Sequence, residues 1–235
     1  PVQYTQAIPQ ALGRLLEHHR SDQAFVAEAL ILPSEAYIAE QMDIIDVDLI
    51  HHVCRSLVKH IASSLKEPLL AIVSEYSKQT SYSIDAKSFG IRKLKNQALA
   101  LLMSLEETSI DDMCYSQFTN ADNMTDQYSA LACLANSKSE YRVQALDAFY
   151  RQWHHDPLVM DKWLMVQASS RLPNTLTVVK ELVSHSIFNI RNPNKVRAVI
   201  GAFAFANPVR FHDSSGRGYA FLADCIIELN ALNPQ

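Results

Sequence analysis

Histidine and cysteine are the residues of this chain best suited to hold a metal ion. The nine histidines include three adjacent pairs, His18-His19, His51-His52 and His154-His155. Adjacent positions on a helix point about 100° apart, so one pair cannot easily bind one ion. His51 and Cys54 stand three residues apart, which permits joint binding, but a zinc site needs three or four ligands. Since H-E-x-x-H is also absent, the sequence predicts no metal site in this chain.

Nucleophilic catalysis has no local signature here either. The G-x-S-x-G pattern of many hydrolases is missing. The four cysteines are far apart, lack any C-x-x-C pattern and lie in apolar or helical stretches: Cys54, Cys114, Cys133 and Cys225. Such a distribution is typical of reduced, buried thiols. We therefore predict no catalytic residue, and a hydrolase that uses a Cys and a His brought together only by folding is the weakest of the alternatives.

The segment 188–211, FNIRNPNKVRAVIGAFAFANPVRF, gives the strongest indication of a binding role. Among its apolar and small residues are four cations, Arg191, Lys195, Arg197 and Arg210. Lys195 and Arg197 closely follow a helix start at Asn192-Pro193, where the positive end of the helix dipole disfavours cations. Two interpretations follow: these side chains either face an anionic partner or extend along the helix surface into solvent.

The elements that must position these residues are helices. Side chains suited to cap a helix start recur along the chain: Ser21, Ser34, Asp46, Ser109, Thr125, Ser139, Asp156, Asn174 and Asn192. Apolar residues after these positions repeat with a helical period, and clean alternation never exceeds four residues. The starts are about 15 to 25 residues apart, so two helices form a hairpin of solenoid-repeat size. We expect loops around Lys78–Ser83 and His212–Gly218.

These patterns predict an all-α chain that forms one continuous domain over residues 1–235. We expect more than about 60% helix and no sheet, against roughly a third helix in typical soluble proteins. The residues expected in the core include Trp163, Leu164, Leu182, Val199, Ile200, Phe203, Phe221 and Leu222.

Composition and charge exclude several classes of protein. Hydrophobic residues make up 48% of the 235 residues and charged residues 20%, which argues against intrinsic disorder. Only five residues are glycine, which speaks against an all-β sandwich, and no dinucleotide-binding or P-loop motif is present. The net charge of −4 and the absence of a basic run argue against nucleic-acid binding. No apolar stretch reaches about 18 residues, so we expect no membrane span.

The start of the chain has neither a methionine nor the basic and apolar regions of a signal peptide: Pro1-Val2-Gln3-Tyr4. The sequence therefore predicts a piece of a longer polypeptide.

A series of short strings runs through the whole chain in order: Leu32-Pro33-Ser34, Asp43 to Asp46 (DIID), Asp122 to Asp126 (DNMTD), Trp153-His154, Leu158 to Trp163 (LVMDKW), Asn192 to Arg197 (NPNKVR), Ile200 to Ala204 (IGAFA), Asn207-Pro208, Phe211-His212, Gly216-x-Gly218-Tyr219 and Asn233-Pro234-Gln235. Together they resemble the C-terminal domain of the bacterial aminopeptidase N family of zinc metallopeptidases.

The resemblance implies a superhelical array of paired antiparallel helices. In the family this array packs over a thermolysin-like catalytic domain and helps to enclose the active site in an internal cavity. The partners it implies are therefore the catalytic domain of the same polypeptide and the peptides that enter the cavity. It also implies further helices after Gln235, so that the chain is truncated before the family's last helices.

The resemblance implies that the zinc ligands, the general base and the motif that binds the substrate N-terminus lie in the preceding domain. The parent enzyme would be a cytoplasmic, monomeric zinc aminopeptidase that removes N-terminal residues from peptides. This chain would hold no cofactor and would be inactive alone. Two of its residues, Arg197 and Gln235, match positions in the cavity wall. The alternative from a different class is an αα-solenoid scaffold that binds a peptide or protein on its concave face.

Overall fold

A computed structural model describes residues 4–78 and 82–232 of the chain. Of the residues in these two ranges 73% are helical, and no strand occurs among them. The all-α prediction is therefore confirmed. The chain divides into two compact units, Pro1–Tyr141 and Arg142–Gln235. The prediction that the chain forms a single domain stays a prediction.

The described part of the first unit contains eight α-helices: α1 Ala7–Glu17, α2 Gln23–Ala29, α3 Glu35–Ala39, α4 Val47–Ser64, α5 Lys66–Ser77, α6 Ala86–Leu102, α7 Thr108–Asn120 and α8 Met124–Ala135. A 3₁₀ turn, Met103–Leu105, follows α6. Helix α6 packs against α2, α4, α5 and α8. Its residues Leu94, Ala98 and Leu102 are completely buried. The core of this unit is therefore built around α6.

Seven α-helices lie in the described residues of the second unit, the first of them beginning at Tyr141, the last residue of the first unit: α9 Tyr141–Trp153, α10 Pro157–Ala168, α11 Thr175–Val183, α12 Pro193–Val196, α13 Ala202–Ala206, α14 Pro208–Phe211 and α15 Arg217–Leu232. A π turn over Arg197–Gly201 joins α12 to α13 without a break in the helical backbone. This continuous helix packs against α10, and α10 is therefore the element that holds it in place.

Capping side chains start many of these helices, as the sequence predicts. Ser34, Asp46, Asp156 and Asn192 each accept a hydrogen bond from a backbone N–H of the first turn that follows. Other starts differ from prediction. Asp22 and Asn123 replace the expected Ser21 and Thr125, and Asp85 caps α6 at a start that the sequence pattern did not predict: these three also accept backbone hydrogen bonds. Asp22 and Asn123 each have a polar neighbour, Ser21 and Asp122, and the backbone direction decides which of the two caps.

Seven of the eight predicted core residues are buried, and Leu222 is only half-buried. The buried residues of α15 are Gly218, Phe221 and Cys225, which lie on one stripe of the helix. Leu222 flanks that stripe. The prediction was wrong for Leu222 because α15 buries a narrower face than its apolar content indicates.

His19, which follows α1, should make the first unit less stable in mild acid. Its ring lies 5.6 Å from the ring of Tyr76, and its Nε2 lies 3.8 Å from Glu75 Oε2. Burial lowers the pKa of His19 below its ordinary 6.5, although the Glu75 carboxylate partly opposes this and the nearby Arg20 adds to it. Below pH 6.5 the unfolded chain therefore binds more protons than the folded chain. This contribution to stability is complete above pH 6.5 and is lost as the pH falls toward the folded pKa.

The measurement is urea unfolding by far-UV circular dichroism between pH 7.5 and 5, for the wild type and His19→Gln. The difference in unfolding free energy between the two proteins isolates His19 from the other histidines. The wild type should lose more stability than the variant over this range. Parallel losses would show that His19 is protonated equally in both states.

Candidate functional site

Lys195 and Arg197, the two cations at the start of the α12 helix, have opposite environments. Lys195 is buried: its Nζ lies 2.7 Å from Asp161 Oδ1 and donates a 2.9 Å hydrogen bond to the carbonyl oxygen of Pro157. The contact with Asp161 is a charge pair rather than a directed hydrogen bond, since Oδ1 has no partner at a hydrogen-bonding angle. Lys195 therefore faces neither solvent nor an outside partner. Its long stem crosses to the first turn of α10 and attaches α12 to it.

Arg197 is exposed. Its Nη1 donates one long hydrogen bond, 3.4 Å, to Asn194 Oδ1, and within the described ranges no carboxylate pairs with it. A guanidinium has five N–H donors, and their planar arrangement suits a carboxylate. Arg197 thus presents an uncompensated positive charge, which can bind an anion supplied from outside the described residues.

The backbone at Arg197 is unusual, because this residue begins the π turn. From Ala198 to Ala204 every residue except the half-buried Gly201 is buried. π turns inside α-helices are rare and often occur at functional sites. Nothing in the local sequence predicts this turn, since the residues involved also suit an ordinary α-helix.

The second predicted cavity residue, Gln235, lies outside the described residues. Its placement in a cavity wall stays a prediction.

No group of three or more His, Cys, Asp or Glu side chains that could hold a metal ion occurs within residues 4–78 and 82–232. The pair singled out by spacing is engaged elsewhere: His51 Nδ1 lies 2.9 Å from Glu35 Oε1. Burial raises the pKa of the Cys54 thiol, with a further contribution from the Glu35 charge. His51 is thus paired with a carboxylate from α3.

Three of the four cysteines, Cys54, Cys114 and Cys225, are poorly suited to act as nucleophiles. Cys114 is completely buried, and a hydrogen bond with the Cys133 thiol, together with burial, raises the pKa of Cys114 far above its ordinary value. Burial also raises the pKa of Cys225. The thiolate is the reactive form of cysteine. Cys114 and Cys225 are therefore protonated at neutral pH, which is unfavourable for nucleophilic attack.

One of the strings that carry the resemblance, DNMTD, builds structure in the first unit. Within DNMTD, Asn123 caps α8 and Asp126 is buried, with its Oδ2 2.6 Å from Lys95 Nζ on α6. Asp126 Oδ1 also accepts a 2.8 Å hydrogen bond from Asn96 Nδ2, and Asn96 Oδ1 accepts one of 2.7 Å from Gln117 Nε2. A buried polar network therefore links α6, α7 and α8.

Two further strings have structural roles in the second unit. Asn207 is buried, and its Nδ2 donates to the carbonyl oxygens of Ala168 and Ser170 at the end of α10, at 3.3 and 2.7 Å. At Gly218 an added Cβ would lie 2.3 Å from the carbonyl oxygen of Phe211, so no larger residue fits there. These roles require the whole fold and could not be predicted from the sequence strings alone.

Comparison with known proteins gives a match over the whole chain. A family model described as "Domain of unknown function (DUF3458_C) ARM repeats" matches residues 1–235. Aminopeptidase N of Escherichia coli is 36% identical over 235 residues, which are 100% of this chain and 27% of that protein. Aminopeptidase N of Caulobacter vibrioides is 37% identical over 224 residues, which are 95% of this chain and 26% of that protein. The chain therefore spans about a quarter of the length of these relatives.

A solved structure is also similar. It is that of Legionella pneumophila aminopeptidase A in complex with aspartic acid, with a TM-score of 0.89 and 27% identity. The match covers 100% of this chain and 28% of that one. These comparisons confirm the resemblance to the helical domain of aminopeptidase N and the fold class predicted for it. Across the described ranges we find no helix whose length and apolar content would let it span a bilayer.

Proposed function

Because the chain belongs to the DUF3458_C family of ARM-repeat domains, we propose that it is the non-catalytic helical domain of a zinc-dependent aminopeptidase N. In this role it closes over the catalytic domain and lines the internal cavity that peptides enter. The parent enzyme removes N-terminal residues from those peptides. Zinc in the preceding domain would supply an activated water for peptide hydrolysis. This chain holds no cofactor in the proposal.

The observation that carries the proposal is the exposed guanidinium of Arg197. Arg197 is an exposed cation without a carboxylate partner in the described ranges, so it is free to bind a group of opposite charge. Lys195 and Asp161 hold this helix against α10, so the position of Arg197 is well defined. A carboxylate of the neighbouring domain or of a bound peptide would satisfy Arg197 through two parallel hydrogen bonds.

The proposal further includes a cytoplasmic, monomeric parent enzyme in which the main partner of this chain is its own catalytic domain. The isolated chain should then have no peptidase activity. Adding the preceding domain in trans should produce a complex, which a free-standing peptide-binding scaffold would not form. The alternative function is that of the peptide-binding scaffold. The family description names ARM repeats, and such repeats present extended concave surfaces that bind partners.

Replacing Arg197 by alanine in the full-length enzyme should lower kcat/KM for tetrapeptides about tenfold, because one tenfold step corresponds to about 1.4 kcal/mol, less than a strong charge-assisted hydrogen bond contributes. Arg197→Lys should recover only part of this loss, since lysine keeps the charge but not the planar pair of donors. The measurement is steady-state kinetics on tetrapeptides.

The matched control is Arg151→Ala, which removes an exposed arginine whose charge is already paired with Asp147 on α9. It should leave kcat/KM unchanged. Arg197→Ala should change the unfolding free energy of the chain by less than about 1 kcal/mol, as expected for an exposed charge. If Arg197→Ala unfolds the chain and leaves peptide kinetics unaltered, Arg197 has a structural role and the proposal is wrong.

A further inference from the structure

Phe205 is an exposed aromatic residue that follows a largely buried stretch of its helix, Ala198 to Ala204. Its side chain is 85% exposed, whereas its neighbours Phe203 and Ala204 are buried. Single exposed apolar residues are common on protein surfaces. Phe205 is different because it lies along one line of the helix with Arg197 and Gly201. Between residues 197 and 205, only these three positions are not buried.

The π turn creates this line. In an uninterrupted α-helix, residues eight apart point about 80° away from each other. A π turn contains one residue more than an α turn. The rotation about the helix axis from Arg197 to Phe205 is therefore about 100° smaller than in an uninterrupted α-helix. Arg197 and Phe205 therefore lie within about 20° of each other, on either side of Gly201, whose missing side chain leaves the space between them open.

The distance between the two residues suits a short peptide. Because the π turn removes one α-helical step, seven steps at about 1.5 Å each place them about 10.5 Å apart along the helix axis. An extended peptide covers about 3.4 Å per residue, so three to four of its residues span that distance.

We propose that Arg197 and Phe205 form a two-point peptide subsite, in which the guanidinium binds a free C-terminal carboxylate and the phenyl ring packs against an apolar side chain three to four residues earlier. Charge complementarity selects the carboxylate end of the occupant, because Arg197 has no acidic partner in the described ranges. The ring adds selectivity for an apolar side chain. This subsite rests on the proposed function, since it presumes that peptides reach this face.

The test uses the full-length enzyme and pentapeptides of alanine with leucine or glutamine at the second position, three residues before the C-terminal one. Each peptide is made with a free C-terminal carboxylate and as the C-terminal amide. The wild type should prefer leucine to glutamine about tenfold in kcat/KM for the free acids, and this preference should shrink for the amides. Phe205→Ala should abolish the preference, mainly through KM, and Phe205→Leu should restore part of it.

Two controls separate this subsite from a general defect. The amide of the glutamine pentapeptide offers neither a carboxylate to Arg197 nor an apolar side chain to Phe205, so Phe205→Ala should lower its kcat/KM far less than that of the leucine free acid. Phe25→Ala removes a phenylalanine that is 59% exposed on α2, and this variant should keep the leucine preference.

The inference is wrong if Phe205→Ala keeps the leucine preference or slows all substrates equally, as loss of contact with a neighbouring domain would. If Arg197→Ala lowers peptide kcat/KM while Phe205→Ala keeps the preference, the proposed function stands and the subsite falls. If neither variant changes peptide kinetics, both fall.

Discussion

Replacing Lys195 by methionine is expected to destabilise the second unit by about 3–5 kcal/mol, the cost of removing one partner of a buried ion pair. The lysine and aspartate side chains of this pair are only 6% and 19% exposed. Methionine keeps the length and apolar stem of lysine but leaves Asp161 without its countercharge. It also removes the hydrogen bond to the carbonyl oxygen of Pro157.

Urea unfolding followed by tryptophan fluorescence measures this effect directly, because both tryptophans, Trp153 and Trp163, lie in the second unit. The double variant Lys195→Met/Asp161→Leu is the matched control. It should recover most of the lost stability, since apolar residues of similar volume often replace a buried ion pair at little cost. A loss below about 1 kcal/mol in Lys195→Met would contradict the buried pair and mean that solvent screens it.

The same substitution bears on the proposed site. Lys195 attaches α12 to α10 and so determines where Arg197 and Phe205 point. In the full-length enzyme, Lys195→Met should therefore impair peptide kinetics through both residues at once. The double variant should restore these kinetics together with stability.

Replacing Trp163 by alanine is expected to cost about 3–5 kcal/mol, the usual range for removing a buried aromatic side chain. The Trp163 indole is buried, and its Nε1 donates a 2.9 Å hydrogen bond to the carbonyl oxygen of Leu146. Its ring centroid lies 5.0 Å from that of Tyr150 and 5.5 Å from that of His185. The truncation leaves a cavity between α9, α10 and the segment after α11.

Trp163→Phe separates packing from hydrogen bonding. It keeps most of the apolar volume and removes the donor to Leu146, so a loss of about 1–2 kcal/mol is expected. Trp153 remains as the fluorescent reporter in both variants. If Trp163→Ala costs no more than Trp163→Phe, the ring does not contribute to the core in the way the contacts indicate.

The strings that identify the family are informative for a physical reason. Asp126, Asn207 and Gly218 each serve a contact between elements that are distant in sequence: a buried charge pair, the cap of another helix and a close backbone approach. Such positions tolerate few residue types. They therefore identify the family more sharply than the apolar pattern, which any helical protein could share.

The sequence by itself determined the all-helical fold and most of the second unit's core. Helix starts such as Asp156-Pro157 and Asn192-Pro193 depend on local chemistry: a side-chain acceptor for the orphan N–H groups and a proline whose missing N–H costs nothing. The apolar period then decides which face of each helix is buried. Capping and apolar periodicity both depend on residues within one or two helical turns of each other, so the sequence alone is enough to identify them.

Only the tertiary structure decided that Lys195 is buried and Arg197 is exposed. Both residues lie near the start of the same helix, where the positive end of the helix dipole disfavours a cation. Positions two apart on a helix point about 160° away from each other, so the two side chains lie on nearly opposite faces. Which one turned inward depended on where α10 placed Asp161 and the carbonyl oxygen of Pro157, more than thirty residues earlier. The π turn that aligns Arg197 with Phe205 is likewise not predicted by the residues of this segment, which also suit an ordinary α-helix.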